Sequence, residues 1–283
     1  MDHACNHKDR EGKAQQLDQF YTDDRAAEKM FECFQKHYAG RTFDFIEPSA
    51  GRGAFLKLLP ENSIGYDIDP KWSGVIRKDF LEVDLVRTGK IAIIGNPPFG
   101  KNCSLAVKFF NRAAEFAEVI AFILPPTFQK WSMQDRLDLN FHLVLECEVP
   151  DNAFWFENKR KDVPTVFQIW ERRDESRERP KRPKSHPHFS FLKTAKGAEF
   201  AITRAGGKAG SIHRDFSKSP SSNYFIKCHV DGVQEIMQSL DFSRFARLTA
   251  GQKSLSKAEI FHLYCSKESV HTPQRSHLHQ VTL

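Results

Sequence analysis

Four short strand-like segments recur in the first half of the chain: the apolar Phe43–Ile46, Ile91–Gly95 and Val119–Leu124, and the mixed Ser63–Asp67. Each is too short for a helix, and each reaches a glycine or proline within a few residues. The segments between them include helical repeats. Arg25–Tyr38 puts Ala26, Met30, Phe31 and Phe34 on one face, behind the capping residues Thr22, Asp23 and Asp24. Leu56–Leu59 and Ser104–Glu118 read as further helices, and His142–Val149 and Val163–Trp170 as late strands. Strands that alternate with helices need crossover connections, which make neighbouring strands parallel. The pattern therefore predicts an α/β fold with a Rossmann-like, mostly parallel sheet.

The rest of the chain departs from this pattern. Glu171–His188 has three prolines and a run of cations: Arg172, Arg173, Arg177, Arg179, Lys181, Arg182 and Lys184. It reads as a basic linker or arm. Beyond it, strands at Phe200–Thr203 and Tyr224–His229 and helices at Val233–Leu240 and Lys257–Tyr264 form a small α+β region. Ser256 and Glu259 are spaced as a capping box. The expected organisation is a flexible start at 1–15, the α/β domain at 16–173, a linker at 174–188, the α+β region at 189–270 and a loose tail at 271–283.

Charge is divided in the same way. Residues 1–171 hold 22 Lys+Arg and 26 Asp+Glu, whereas residues 172–283 hold 20 and 10. The second part is thus strongly basic, which suits a polyanionic partner. No apolar run approaches the ~20 residues of a membrane span, and residues 1–11 lack an apolar signal core. The reading is a soluble, cytoplasmic chain, taken as a monomer. Its six cysteines form no C-x-x-C pair and read as reduced thiols. His3, Cys5 and His7 alternate near the start, but a loose tip is favoured there over a metal site, and no metal is expected.

Glu47-Pro48-Ser49-Ala50-Gly51-Arg52-Gly53 lies between a strand and a helix. Glycines let such a loop turn sharply and let a ligand approach the backbone. A dinucleotide loop would carry a third glycine, and Lys57 is not in phosphate-loop spacing. Glu47 is wrong for a phosphate and suits a cationic ligand such as S-adenosylmethionine. Asp67, at the end of the next strand, is placed for ribose hydroxyls, and Ile68 for an adenine face. Asp79 offers an acceptor for an adenine amino group, and Phe80 an aromatic wall. Pro48, Ala50, Gly51 and Gly53 complete the candidate cofactor loop.

Asn96-Pro97-Pro98-Phe99 follows the strand Ile91–Ile94 directly. An aromatic amine is a poor nucleophile because its lone pair is delocalised into the ring. Two acceptors that hold its N–H groups can turn that pair toward an incoming methyl. The Asn96 side-chain oxygen and the Pro97 carbonyl are suited to this, in a loop stiffened by Pro97 and Pro98, while Phe99 can stack on a flat substrate. Pro125-Pro126-Thr127-Phe128 also ends a strand on two prolines, but it lacks the polar residue before them.

With these motifs in place, the chain resembles the S-adenosylmethionine-dependent amino-methyltransferases, most of all the gamma-type adenine-N6 enzymes. The resemblance runs over roughly 16–173. It is carried by Gln19–Thr22, the Glu47–Phe55 loop, Tyr66–Pro70, Lys78–Leu81 and Asn96–Phe99, in that order. It implies a methyltransferase fold with a seven-stranded sheet, cofactor contacts from Phe20, Tyr21 and Thr22, and the α+β region as a target-recognition part. It also implies a second aromatic beside the target base. Phe154, Trp155 and Phe156 lie near that place, and Phe154 and Phe156 are taken as the candidates. The expected enzyme methylates adenine N6 in a nucleic acid, DNA before RNA, with the basic segment holding phosphates. Two alternatives stand beside it. One is methylation of a protein glutamine amide, against which Phe99 counts because such enzymes usually have Tyr there. The other is a non-catalytic nucleic-acid-binding protein on the same fold.

Overall fold

The computed structural model describes residues 20–85, 89–179, 183–249 and 251–271. The chain divides into two compact units between Arg179 and Pro180. The first contains a seven-stranded sheet built from β2 (Asp44–Glu47), β3 (Ile64–Asp67), β4 (Val75–Arg77), β5 (Ile91–Gly95), β6 (Val119–Leu124), β7 (Phe141–Glu148) and β10 (Val166–Arg172). Their spatial order is β4-β3-β2-β5-β6-β10-β7. Pairing is parallel from β4 to β6, and β10 runs antiparallel to both β6 and β7.

Two apolar layers cover the faces of this sheet. Ile46, Ile93, Ile120, Phe122, Phe110 and Trp170 pack on one side, with helix α2 (Ser104–Ala114). Phe45, Ala92, Ile94, Ile123, Phe167 and Ile169 pack on the other, with Phe31 and Phe34 of helix α1 (Asp24–His37). A central parallel strand buried on both faces has no polar side, so β5 and β6 read as unbroken apolar runs. The Asp23 carboxylate caps α1 by accepting the Arg25 backbone N–H.

A small second sheet, of order β1-β8-β9, joins Tyr21–Thr22 (β1) to the hairpin of β8 (Phe154–Phe156) and β9 (Lys159–Lys161). Glu157 and Asn158 both have positive φ, 48° and 61°. That is the geometry of a two-residue hairpin turn whose twist matches its strands. The Asp23 carboxylate ties the hairpin down by accepting the Trp155 indole N–H at 2.9 Å and pairing with Arg160 at 3.1 Å.

Three expectations are corrected. The helix expected over Leu56–Leu59 is one 3-10 turn, Leu56–Leu58. Pro60 keeps the preceding Leu59 extended, at ψ 160°. The cysteines are not all reduced thiols, because Cys33 on α1 and Cys147 on β7 form a disulfide. Their separation of 114 residues concealed the pairing. The basic segment is also no free arm as far as Arg179. Arg172 gives its guanidinium to the Ala114 and Ala117 carbonyls. Arg177 gives its own to the carbonyls of Gln134, Asp138 and Phe141, over the Trp170 ring. Arg179 donates to the Asp135 carbonyl. Unfulfilled carbonyls at turns and helix ends attract such donors.

The second unit is an antiparallel sheet of order β11-β14-β12-β13: Phe189–Leu192 (β11), Asn223–Cys228 (β14), Phe200–Thr203 (β12) and Ile212–His213 (β13). Helices α4 (Val233–Gln238), α5 (Phe242–Arg247) and α6 (Lys257–His271) complete it, α3 being Trp131–Gln134 of the first unit. Phe189, Phe200, Ile226, Met237, Ile260 and Tyr264 form its core. The capping box at α6 is present, with the Ser256 N–H donating to the Glu259 carboxylate at 2.7 Å and the Glu259 N–H to the Ser256 hydroxyl at 3.3 Å. No helix among the described residues is long and apolar enough to cross a membrane. His3, Cys5 and His7 lie outside the described residues.

Candidate active site

In the first unit β2, β3 and β4 step away from β5 on one side, and β6, β10 and β7 on the other. The strand order thus reverses between β2 and β5, where open α/β sheets bind ligands beyond the carboxyl ends of their strands. Glu47 ends β2, Asp67 ends β3 and Asn96 follows β5. All three line a cleft of about 300 Å³ at this edge.

The loop after β2 is shaped by its glycines and held by two carboxylates. Gly51 has φ +48°, and a Cβ there would stand 2.9 Å from the Tyr21 ring carbons. Asp67 fixes the loop by accepting the Gly51 N–H at 2.8 Å and the Asp69 N–H at 2.7 Å. The Arg52 guanidinium lies 4.5 Å from the Tyr21 ring centroid. Burial, with Asp67 and Asp69 nearby, pushes the Tyr21 phenol up to about 12 despite Arg52, so it remains neutral.

Glu47 is 2% exposed and accepts the Leu56 N–H at 2.7 Å. Burial raises its pKa well above the usual carboxylate range, and the Leu56 and Phe55 N–H groups only partly oppose this. A raised folded pKa means stability that is full below the unfolded value and is lost as pH climbs toward the folded one. Glu47→Gln keeps an acceptor for Leu56 and removes the titration. Its melting temperature, compared with wild type in scans between pH 5 and 8, is therefore expected to gain steadily as pH rises. A gap that does not change with pH would mean that Glu47 does not titrate anomalously.

Across the switch point, Asn96 is held from two sides. The Ser49 hydroxyl donates to its main-chain carbonyl at 2.9 Å, and its Nδ2 donates to the Phe20 carbonyl at 3.2 Å. A carbonyl can only accept, so this contact fixes which way the amide faces. The other end, Oδ1, is buried without a hydrogen-bond partner. Buried polar atoms are nearly always satisfied, so a lone acceptor in a cleft marks a place for a donor. Pro97 is buried, and Pro98 and Phe99 are half-buried. Gly100, at φ +67°, turns the chain into α2, whose Leu105 and Ala106 N–H groups hold the Phe99 carbonyl.

Of the residues expected from sequence, Phe20, Tyr21, Thr22, Glu47, Pro48, Ala50, Gly51, Asp67, Ile68, Asp79, Phe80, Phe154 and Asn96–Phe99 line the cleft. Asp79 uses one carboxylate oxygen to accept the Leu81 N–H at 2.9 Å. Gly53 and Phe156 are outside the lining, Gly53 against the Trp72 ring and Phe156 against Phe20 with centroids 5.1 Å apart. Arg172, Arg173, Arg177 and Arg179 also lie outside it. Lys184 belongs to the second unit, and Lys181 and Arg182 lie outside the described residues. Ser49 and Leu81 of the sequence motifs also line the cleft, as do Leu105 and Phe109, which belong to no motif. Leu105 and Phe109 were detectable as an i, i+4 pair on the helix that follows Phe99.

A seven-stranded sheet of this order, with one antiparallel strand and a cleft at its switch point, is the Rossmann-like methyltransferase fold. Over 130 residues, 40% of its length, the chain is 32% identical to the protein ENHANCED DOWNY MILDEW 2 of Arabidopsis thaliana, and it spans about a tenth of that protein. Among solved structures it is similar to a type I restriction-modification system methyltransferase subunit from Streptococcus thermophilus, with TM-score 0.39 and 16% identity over 61% of this chain and 51% of that one. It is also similar to the 1,6-didemethyltoxoflavin-N1-methyltransferase of Burkholderia thailandensis, with TM-score 0.39 and 13% identity over 59% and 84%. No protein-family model matches. At these scores the fold assignment rests on the strand order.

Proposed function

We propose that the chain is an S-adenosylmethionine-dependent methyltransferase acting on the exocyclic N6 of adenine in nucleic acid, with DNA favoured over RNA. The observation that carries this reading is the buried, unpartnered Asn96 Oδ1, beside a cleft lined by Glu47, Gly51 and Asp67. The residues present fit the cofactor. Gly51, with no Cβ, lets the Tyr21 ring lie against the loop backbone, Tyr21 supplies a neutral ring to the cleft, and Glu47 is a buried carboxylate able to meet a cation. When bound, S-adenosylmethionine supplies a methyl group on a positively charged sulfur.

The other steps belong to the chain. The Asn96 Oδ1 accepts one amine N–H and the Pro97 carbonyl the other, which turns the lone pair out of conjugation. Phe99 stacks on the base, an interaction worth roughly 1–3 kcal/mol. Phe80, Phe109 and Phe154 exclude water. Holding the amine in line contributes up to about 7–11 kcal/mol in favourable cases. No dedicated base is needed, because the nitrogen becomes acidic only after it has been methylated. An adenine in a duplex has to flip out to reach the cleft, at a cost of a few kcal/mol.

The test is incubation with methyl-labelled cofactor and equal amounts of single-stranded DNA, duplex DNA and structured RNA, followed by nucleoside analysis. Label in N6-methyladenine is the expected result. Label in another nucleoside, or in none, overturns the substrate assignment.

A further inference from the structure

We infer that the second unit carries a nucleic-acid-binding face of its own, formed where residues 204–208 meet residues 244–249 and 251–257, with a phosphate backbone as its ligand. The inference rests on the nucleic-acid part of the reading above.

Three segments are laced together there. Ala205 and Ser254 form an antiparallel bridge. The Leu255 N–H donates to the Arg204 carbonyl at 2.8 Å and the Gly206 N–H to the Lys253 carbonyl at 2.9 Å. The Ser254 N–H donates to the Ala246 carbonyl at 3.0 Å, which brings in α5.

The charge of these segments has one sign. Neither Phe200–Arg214 nor Phe242–Ala258 contains an aspartate or glutamate. Arg204, Lys208, Arg244, Arg247, Lys253 and Lys257 are all exposed, and no ion pair joins any of them to a described carboxylate. The acids at the margins are committed. Asp241 caps α5 through the Arg244 N–H, and Glu259, 2% exposed, belongs to the capping box of α6. Arg247 donates to the Ser243 hydroxyl at 3.0 Å, but like charges gathered without an ion pair still repel one another, and a polyanion relieves that repulsion by releasing its counterions.

Two further features fit a nucleic acid. Tyr224 and Phe191 are half-buried beside the cations. Arg204 lies 5.2 Å and Lys257 5.7 Å from the Tyr224 ring centroid, and Lys257 lies 4.9 Å from that of Phe191. The cations therefore sit on a fixed aromatic base. Gly207 has open space where a Cβ would stand, which leaves that backbone accessible. Neither segment exposes a large apolar side chain that could enter a bilayer.

The test is binding of a fluorescein-labelled single-stranded oligonucleotide to the full chain, measured by anisotropy across a salt series. The variant Lys208→Glu/Lys253→Glu is compared with wild type. Lys227→Glu serves as the charge control, because its side chain leaves the opposite face of β14 from Tyr224 and Ile226. The double variant should bind at least about tenfold more weakly. The plot of log K against log salt should flatten by about 1.4, or about 0.7 for each of two lost phosphate contacts. The control should stay near wild type. Circular dichroism and melting temperature check that every variant is folded.

Unchanged affinity and slope in the folded double variant overturn the inference. So does binding to anionic vesicles, rather than to the oligonucleotide, with the same dependence on the two lysines. Normal binding through this face without label transfer to any nucleic acid sinks the enzymatic reading alone. If wild type binds no oligonucleotide at low salt, the inference and the nucleic-acid part of that reading fall together.

Discussion

Asn96→Ala should leave cofactor affinity within about twofold of wild type and lower the rate of methyl transfer by about 10²–10³-fold. That magnitude is typical for removing one preorganised hydrogen-bonding group at a reacting centre. The asymmetry follows from the geometry, because the Oδ1 that has no partner is the atom assigned to the substrate amine. Asn96→Asp separates this role from mere bulk. A carboxylate has no N–H for the Phe20 carbonyl, now served at 3.2 Å by Nδ2. The Asp variant should therefore be slow as well, and its rate should improve as pH falls and the carboxyl regains a donor. Calorimetry for cofactor binding and single-turnover methyl transfer are the measurements. An alanine variant with wild-type turnover would remove the basis of the proposed chemistry.

The second large effect is expected at Asp67. Its two oxygens accept the Gly51 and Asp69 N–H groups. Hydrogen bonds to a charged group contribute roughly 1.5–3 kcal/mol each. Asp67→Ala removes both and frees a loop whose Gly51 conformation is uncommon. Cofactor affinity should fall by about 100-fold or more, with melting temperature lowered as well. Asp67→Asn keeps one acceptor and should fall between the two. If Asp67→Ala binds the cofactor as wild type does, the assignment of this cleft to S-adenosylmethionine fails.

The legible parts of the fold were those whose signal is local. β5 and β6 are apolar along their whole length because both faces are covered, and no other element among the described residues gives a run such as Val119–Leu124. The Asp23 cap and the Ser256–Glu259 box are encoded within three residues of the ends they serve. The cleft was legible for the same reason, since its loops follow strands that announce themselves. What escaped notice depends on distant partners. β1 is two residues long and exists because Tyr21 pairs with Trp155. β4 is three residues long, with Ile76 half exposed, too little for a period to register. The positive charge of Arg172 and Arg177 was plain, but the carbonyls that occupy them are contributed by helix ends, a loop and a strand start 30 to 60 residues earlier. Composition gives the charge of a side chain, and only the fold decides whether its donors are available.

The contact between Asn96 and the Phe20 carbonyl spans 76 positions of the chain. It depends on a two-residue strand, which is among the cheapest elements in the molecule to open. Detachment of that edge is a sub-global fluctuation, far smaller than unfolding. It would free the Asn96 amide to rotate and present N–H groups where an acceptor is required. The catalytic geometry would then be lost while the sheet behind it stayed intact. Conditions that detach β1 from β8 should thus abolish turnover well below the temperature at which the domain melts.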